Sequence, residues 1–318
     1  MAKAISARHL TGAVGWGQRR KGDAMRFGLV GTGPWARYTH GPGLSAADGV
    51  ELVGVWGRNT DKAKALATDL GVAGYDDYAE LLELVDAVAF AVPPRIQATM
   101  ALEAAAVGKH LLLDKPVADS IDDARALSDE AAAEGIASVV FFTARFAPES
   151  RAFFAEVQAT GGWKGGWSRM LAALDKPGGP YRDSPWRREQ RGALWDVGPH
   201  ALSHLDAMLG PIAELRAIGG EGDLVHLVIT HESGATSTAS VSLFAPPAGT
   251  SFETGVWGEA GTALLPAGDT PAVESYRIAA QELVAVAESG DSHLVDVTFG
   301  TRIVELLASA EQQLADRA

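Results

Sequence analysis

The chain is 318 residues long, 47% hydrophobic and free of cysteine, with 27 lysines and arginines against 40 acidic residues for a net charge of −13. That length suffices for two domains, the acidic balance argues against nucleic acid or an anionic membrane as a partner, and the absence of thiols excludes disulfides, thiolate nucleophiles and cysteine-ligated metal centres. No apolar run reaches the roughly 18 residues that cross a bilayer, and a cytoplasmic protein is expected.

Residues 1–24 carry Lys3, Arg8, Arg19, Arg20 and Lys21 against the single acid Asp23. They read as a disordered extension, with folding starting near Met25. Arg19-Arg20 is not followed by the apolar segment an export signal needs.

From Met25 to about Phe142 the pattern alternates strand and helix. Expected strands are Phe27–Val30, Leu52–Trp56, Ala87–Val92, Leu111–Asp114 and Ser138–Phe142. Each is a continuous aliphatic or β-branched run, as a strand buried on both faces should be. Between them lie alanine-rich helical segments, Asp61–Leu70, Gln97–Val107 and Ile121–Ala133. Ser120 and Asp123 form a capping box before the last, and Gly71, Gly108 and Gly135 suit helix ends. This alternation predicts an α/β domain with a doubly wound parallel sheet.

Beyond Phe142 the period changes to polar–apolar alternation at Leu224–Thr230, Thr236–Leu243 and Phe252–Trp257. That is the pattern of antiparallel strands with one covered face. Helices are expected at Ala272–Ser289 and Val295–Ala315. The division is therefore a first domain over residues 25–143 and an α+β domain over residues 144–318, joined near Thr143–Pro148.

The first expected strand runs directly into Gly31-Thr32-Gly33-Pro34-Trp35-Ala36. Gly31 permits a tight turn, Gly33 has no side chain to block a pyrophosphate, and the small Ala36 lets the following helix approach the strand. A dinucleotide would rest on backbone N–H groups there. At the end of the second strand, where NAD-preferring sites usually carry an acid, the chain reads Gly57-Arg58-Asn59. Arg58 suits a 2′-phosphate, which favours NADP over NAD.

Leu111-Leu112-Leu113-Asp114-Lys115-Pro116 puts a lysine at the carboxyl end of a buried parallel strand, the edge where open α/β sheets bind ligands. An ammonium there can stabilise a developing alkoxide. Further on, Pro199 opens a helix that runs to Gly210, with Asp196 and His200 four apart at its start. The helix dipole favours a neutral imidazole able to accept a proton, and a carboxylate would orient it. His204 extends the spacing and invites a metal-dependent hydrolase or lyase reading, but no third clustered donor stands nearby and no metal is expected. His204 is read instead as structural or substrate-contacting.

Together these elements resemble the glucose-fructose oxidoreductase, inositol dehydrogenase and MocA family, over essentially all the chain after Met25. The resemblance rests on the glycine loop, Ala91-Val92-Pro93-Pro94, Lys115-Pro116, Arg145-Phe146-Ala147-Pro148 and Asp196-x-x-x-His200. It implies a Rossmann domain followed by a domain with a large, open-faced, mostly antiparallel sheet, usually buried in a homodimer or homotetramer. It further implies that Lys115 touches nicotinamide and substrate, that His200 is the general base and that Asp196 is its partner. The cofactor then lies along Gly31 to Ala36, Arg58, Asn59, Val92, Pro93 and Lys115. Relatives usually carry Glu where Asp114 stands, and a histidine is common at the Ile96-Gln97 step. The implied activity is an NAD(P)-dependent hydride transfer at a secondary alcohol or ketone of a sugar, cyclitol or related polyol. Arg145, Trp186 and Trp195 join His204 as substrate-pocket candidates, aromatic faces suiting sugar C–H surfaces. A non-catalytic dinucleotide-binding regulator of the same fold is the alternative, which the joint presence of Lys115, Asp196 and His200 disfavours.

Overall fold

A computed structural model describes residues 23–176, 186–188 and 191–316. Apart from Asp23 and Ala24, the expected N-terminal extension lies outside the described residues. The chain forms two units. The first holds residues up to Val117, Asp122–Phe141 and Ala272–Thr298; the second holds Ala118–Ile121, Phe142–Pro271 and residues from Phe299 onward.

In the first unit six parallel strands are ordered β3-β2-β1-β4-β5-β6. They are β1 Met25–Val30, β2 Val50–Trp56, β3 Ala73–Tyr75, β4 Ala87–Phe90, β5 His110–Asp114 and β6 Ser138–Phe141. Every residue of β4 and β6 is buried, the burial on both faces that their unbroken apolar sequence predicts. A π-helical turn, Ala36–His40, leads from the glycine loop into the short α1, Gly41–Ser45. Helix α2, Thr60–Leu70, is capped by Asn59, whose side chain accepts the Lys62 N–H, and ends at Gly71. Helix α4, Pro94–Ala105, carries its proline in the first turn, and α5, Ile121–Ala133, precedes β6. Two elements were not expected. The three-residue β3 and the seven-residue α3, Tyr78–Leu84, are too short to display a period.

The second unit also holds a six-stranded sheet, ordered β12-β11-β7-β10-β9-β8. Its strands are β7 Trp163–Leu171, β8 Ile212–Gly219, β9 Val225–His231, β10 Thr236–Ser242, β11 Ser251–Gly258 and β12 Gly261–Leu264. The β7–β10 pair is parallel and the other pairs are antiparallel. Burial alternates residue by residue along β9, so one face is covered and one open. Helix α8, Gly198–Leu209, lies on the covered face, packed on β7, β10 and β11. Helices α6, Pro148–Thr160, α7, Gly192–Asp196, and α10, Val297–Ala315, complete the unit.

The two terminal helices do not stay together, as the sequence pattern suggests they would. Helix α9, Ala272–Ser289, belongs to the first unit, where its buried stripe Tyr276, Ala279, Ala280 and Leu283 packs against β5 and β6. The alanines permit close approach, and Tyr276 stacks on His40 at 3.9 Å. Among the described residues no helix is long and apolar enough to cross a membrane.

Candidate active site residues on the two units

The carboxyl edge of the first sheet is built around Gly31. Its N–H donates to Trp56 O at 2.9 Å and the following strand is tied in by the Ala91 N–H on Val30 O at 2.8 Å. Its φ is 129°, and a Cβ there would stand 2.4 Å from Ala91 O. No side chain fits without moving backbone. Gly33 differs: a Cβ on it would meet nothing within 4 Å, because that position opens onto solvent. Thr32 lies against Gly57 at the end of β2. Pro34 is exposed, Trp35 half-buried and Ala36 fully buried. The local helix expected after the loop is first a π turn. A backbone corner that admits no Cβ on one side and open space on the other fits a dinucleotide pyrophosphate.

Strands β1, β4 and β5 are neighbours, so their ends bring this corner, the Val92-Pro93 turn and Lys115 to one edge. Arg58 and Asn59 are exposed just past β2, and the Asn59 carbonyl is already used as the α2 cap. Lys115 is half-buried, joined to Pro116 by a cis peptide. Its N–H donates to Asp114 Oδ1 at 2.8 Å, and Asp114 Oδ2 stands 3.8 Å from Nε2 of the fully buried His40. Burial pushes the His40 imidazole down to about 3, so it is neutral. Gln97 grips the same corner through both ends of its amide.

On the second unit, His200 is half-buried in the first turn of α8, behind Pro199. Asp196 is buried, and Arg187 grips its carboxylate with Nε on Oδ2 at 2.7 Å and Nη2 on Oδ1 at 3.3 Å. Such a two-point clamp fixes the plane of the carboxylate. Among the described residues no cluster of three or more histidines or acids could hold a metal ion. Arg187 went unnoticed in the sequence, where nothing distinguishes it from its neighbour Arg188.

The substrate-pocket candidates divide. Arg145 and His204 come together within the unit: Arg145 Nη1 donates to Ser203 O at 3.0 Å, with the rings of Phe154 and Phe299 beside its guanidinium. His204 is 7% exposed, and burial with the Arg145 charge lowers it to about 4. His204 is thus a buried residue of α8 itself, and Arg145 braces that helix through the Ser203 carbonyl. Trp195 is half-buried on α7, and Trp186 is half-buried with the Arg187 guanidinium 4.4 Å above its ring.

A glycine-cornered parallel sheet and a second, mostly antiparallel sheet define a two-unit dinucleotide-binding protein. Two family models match it: the NAD-binding Rossmann fold of the oxidoreductase family over residues 25–142, and the GFO/IDH/MocA C-terminal domain over residues 165–264. The chain belongs to the Gfo/Idh/MocA family of oxidoreductases. It is 30% identical over 199 residues to dTDP-3,4-didehydro-2,6-dideoxy-alpha-D-glucose 3-reductase of Streptomyces violaceoruber, covering 62% of this chain and 57% of that one. Matches to curated relatives span from about a quarter to under three fifths of their length. Among solved structures, UDP-N-acetylglucosamine 3-dehydrogenase of Acidithiobacillus ferrooxidans shares the fold with a TM-score of 0.78 at 17% identity, over 92% of this chain and 98% of that one. A levoglucosan dehydrogenase bound to NADH and levoglucosan does so with a TM-score of 0.81 at 16% identity, over 93% and 98%.

Proposed function

We propose that the protein is a nicotinamide-dinucleotide-dependent dehydrogenase or reductase acting on a secondary alcohol or ketone of a sugar, cyclitol or related polyol. The observation that carries this reading is the shared sheet edge: a glycine corner that tolerates no side chain at Gly31, with a half-buried lysine at the end of β5. Relatives and fold neighbours named for sugar substrates lend support. When bound, the dinucleotide supplies the hydride acceptor or donor. Gly31 to Ala36 hold its pyrophosphate, and Val92 and Pro93 flank it. Lys115 stabilises the alkoxide oxygen and His200 takes the hydroxyl proton, or returns it to a ketone. Asp196, held by Arg187, is assigned to keep the base oriented. Arg58, exposed past an acid-free strand end, favours NADP. The open sheet face is assigned to a second copy of the chain.

Thermal shifts with NAD, NADH, NADP and NADPH, then a polyol and keto-sugar screen with the most stabilising one, test the reading. Lys115→Met and His200→Ala should each lower kcat by roughly 100-fold or more while cofactor affinity stays within about threefold. Unchanged turnover in both variants overturns the mechanism. Arg58→Ala should erase any NADP preference, and a preference left intact removes that assignment.

A further inference from the structure

The side chain of Gln97 makes four contacts with main-chain atoms on either side of Lys115, and none of the readings above uses it. It is 1% exposed, in the first turns of α4 behind Pro93 and Pro94. Its Oε1 accepts the Asp114 N–H at 2.8 Å. Its Nε2 donates to Asp114 O at 2.8 Å and lies 3.2 Å from both Pro116 O and Val117 O. The Lys115 N–H between these points is held by Asp114 Oδ1. The main chain before and after the lysine is thus bound to one buried amide.

We propose that Gln97 is the positioning residue of Lys115, fixing the corner from which the ammonium reaches the substrate oxygen. This rests on the reading that Lys115 stabilises the alkoxide. The chemistry of the site selects the residue type. The corner needs one acceptor and a two-hydrogen donor from a single side chain, and a primary amide supplies both. Glutamate would keep an acceptor, lose the donors and face three carbonyls with a carboxylate. Histidine would keep one donor and one acceptor. Methionine would fill the volume and remove all four contacts with the main chain. A lysine whose anchor drifts by about 1 Å loses the alignment on which transition-state stabilisation depends, at a cost of up to roughly 100-fold.

The test compares Gln97→Met, Gln97→His and Gln97→Glu with Lys115→Met, assayed below each variant's unfolding temperature. Gln97→Met should lower kcat by roughly 10- to 100-fold with cofactor Kd within about threefold, and Gln97→His should restore part of the loss. Gln97→Glu should fall below Gln97→His. In a Lys115→Met background Gln97→Met should lower the residual rate no further, because it acts through the lysine. A readout independent of turnover is acylation of the Lys115 amine in the cofactor-free protein, followed by mass spectrometry against pH. Gln97→Met should move that profile, whereas a merely structural glutamine would lower stability and leave the profile in place. Wild-type kcat in Gln97→Met with a crippled Lys115→Met overturns the positioning role alone. Full turnover in Lys115→Met overturns the underlying reading, and an unshifted acylation profile then removes Gln97 as well.

Discussion

The two sheets have the same number of strands and opposite relations to their surroundings. The first is parallel, with β4 and β6 buried along their whole length, so its accessible features lie at its edges and strand ends. Its chemistry gathers at one of them, where Gly31, Val92 and Lys115 end neighbouring strands. The second sheet spends one face on α8 and leaves the other open, with alternating exposed residues along β8, β9 and β10. An edge presents backbone groups and strand-end side chains to a small molecule, whereas a face presents a broad array of side chains suited to another macromolecule. The sheet type thus divides the work: the first unit addresses a cofactor, the second offers a surface.

The largest effect that would break this division comes from glycines. Gly31→Val should cost about 3 kcal/mol or more, combining a strained positive φ with an overlap on Ala91 O. It should also abolish thermal stabilisation by the dinucleotide, which in the wild type approaches about 2.7 kcal/mol at a hundredfold excess over Kd. Gly33→Val, at a position with open space, should keep the melting temperature and lose only the cofactor response. In the second sheet, Gly165→Ala would drive a Cβ to 2.7 Å from Thr236 O, destabilising the fold while leaving cofactor binding intact. Loss of cofactor response in Gly165→Ala would show that the two units do not divide the work this way.

The same contrast governs what could be read in advance. The glycine corner, the buried runs of β4 and β6, Lys115 and the α8 start all announce themselves locally, through composition or period. Strand β7 did not, because Gly165-Gly166 interrupts its alternation. The structure explains those glycines by the Trp257 ring lying over Gly165, while Trp167 lies over Gly255 on the partner strand. That is a cross-strand fit that one strand's sequence cannot display. Helix α9 was recognised as a helix but its unit was not, since a stripe of tyrosine and alanines does not say which sheet it will meet. Arg187 on Asp196 and Gln97 on the Lys115 corner are tertiary pairings of the same kind. Gln97 stood out only as a departure from the histidine common in relatives.

Acid should separate the units next. His40 in the first and His204 in the second are 0% and 7% exposed, and burial lowers them to about 3 and about 4, with Arg145 adding to the shift at His204. Above about pH 6.5 both are neutral folded or unfolded, and their contribution is fully present. Below it the unfolded chain takes up protons the folded one refuses, so stability falls by up to about 1.4 kcal/mol per pH unit for each histidine, until pH nears the folded values. Asp206, whose carboxyl burial raises, works in the opposite sense in the second unit. Urea unfolding between pH 7.5 and 5 measures the slope. His40→Phe and His204→Phe should each flatten it, and the first unit should lose more. An unaltered slope in both would show that these rings are not held neutral in the folded chain.

The smallest effect on the fold, and the sharpest on assembly, lies on the open face of the second sheet. Strand register places Arg216, Val228, Thr238, Trp167, Gly255 and Leu264 in one row across that face. The row beside it includes Glu253 paired with Arg169 and His226 opposite Ser240. Val228 and Leu264 are 49% and 53% exposed, and Trp257 on a further row is 50% exposed. Apolar groups flanked by residues of both charges suit a self-complementary contact, because in a twofold interface each contact of one residue with another is repeated with the roles exchanged. Val228→Glu removes little from the isolated unit, so its stability should change by less than about 0.5 kcal/mol. Across a two-fold contact it replaces an apolar side chain, set between Arg216 and Thr238, with a carboxylate that must be desolvated, and the assembly should shift towards monomer in light scattering at micromolar concentration. Thr230→Glu, on the same face but in a polar stretch near its rim, should leave the assembly intact. A monomeric wild type, or an oligomer indifferent to Val228→Glu, would mean that this face meets something other than a second copy of the chain.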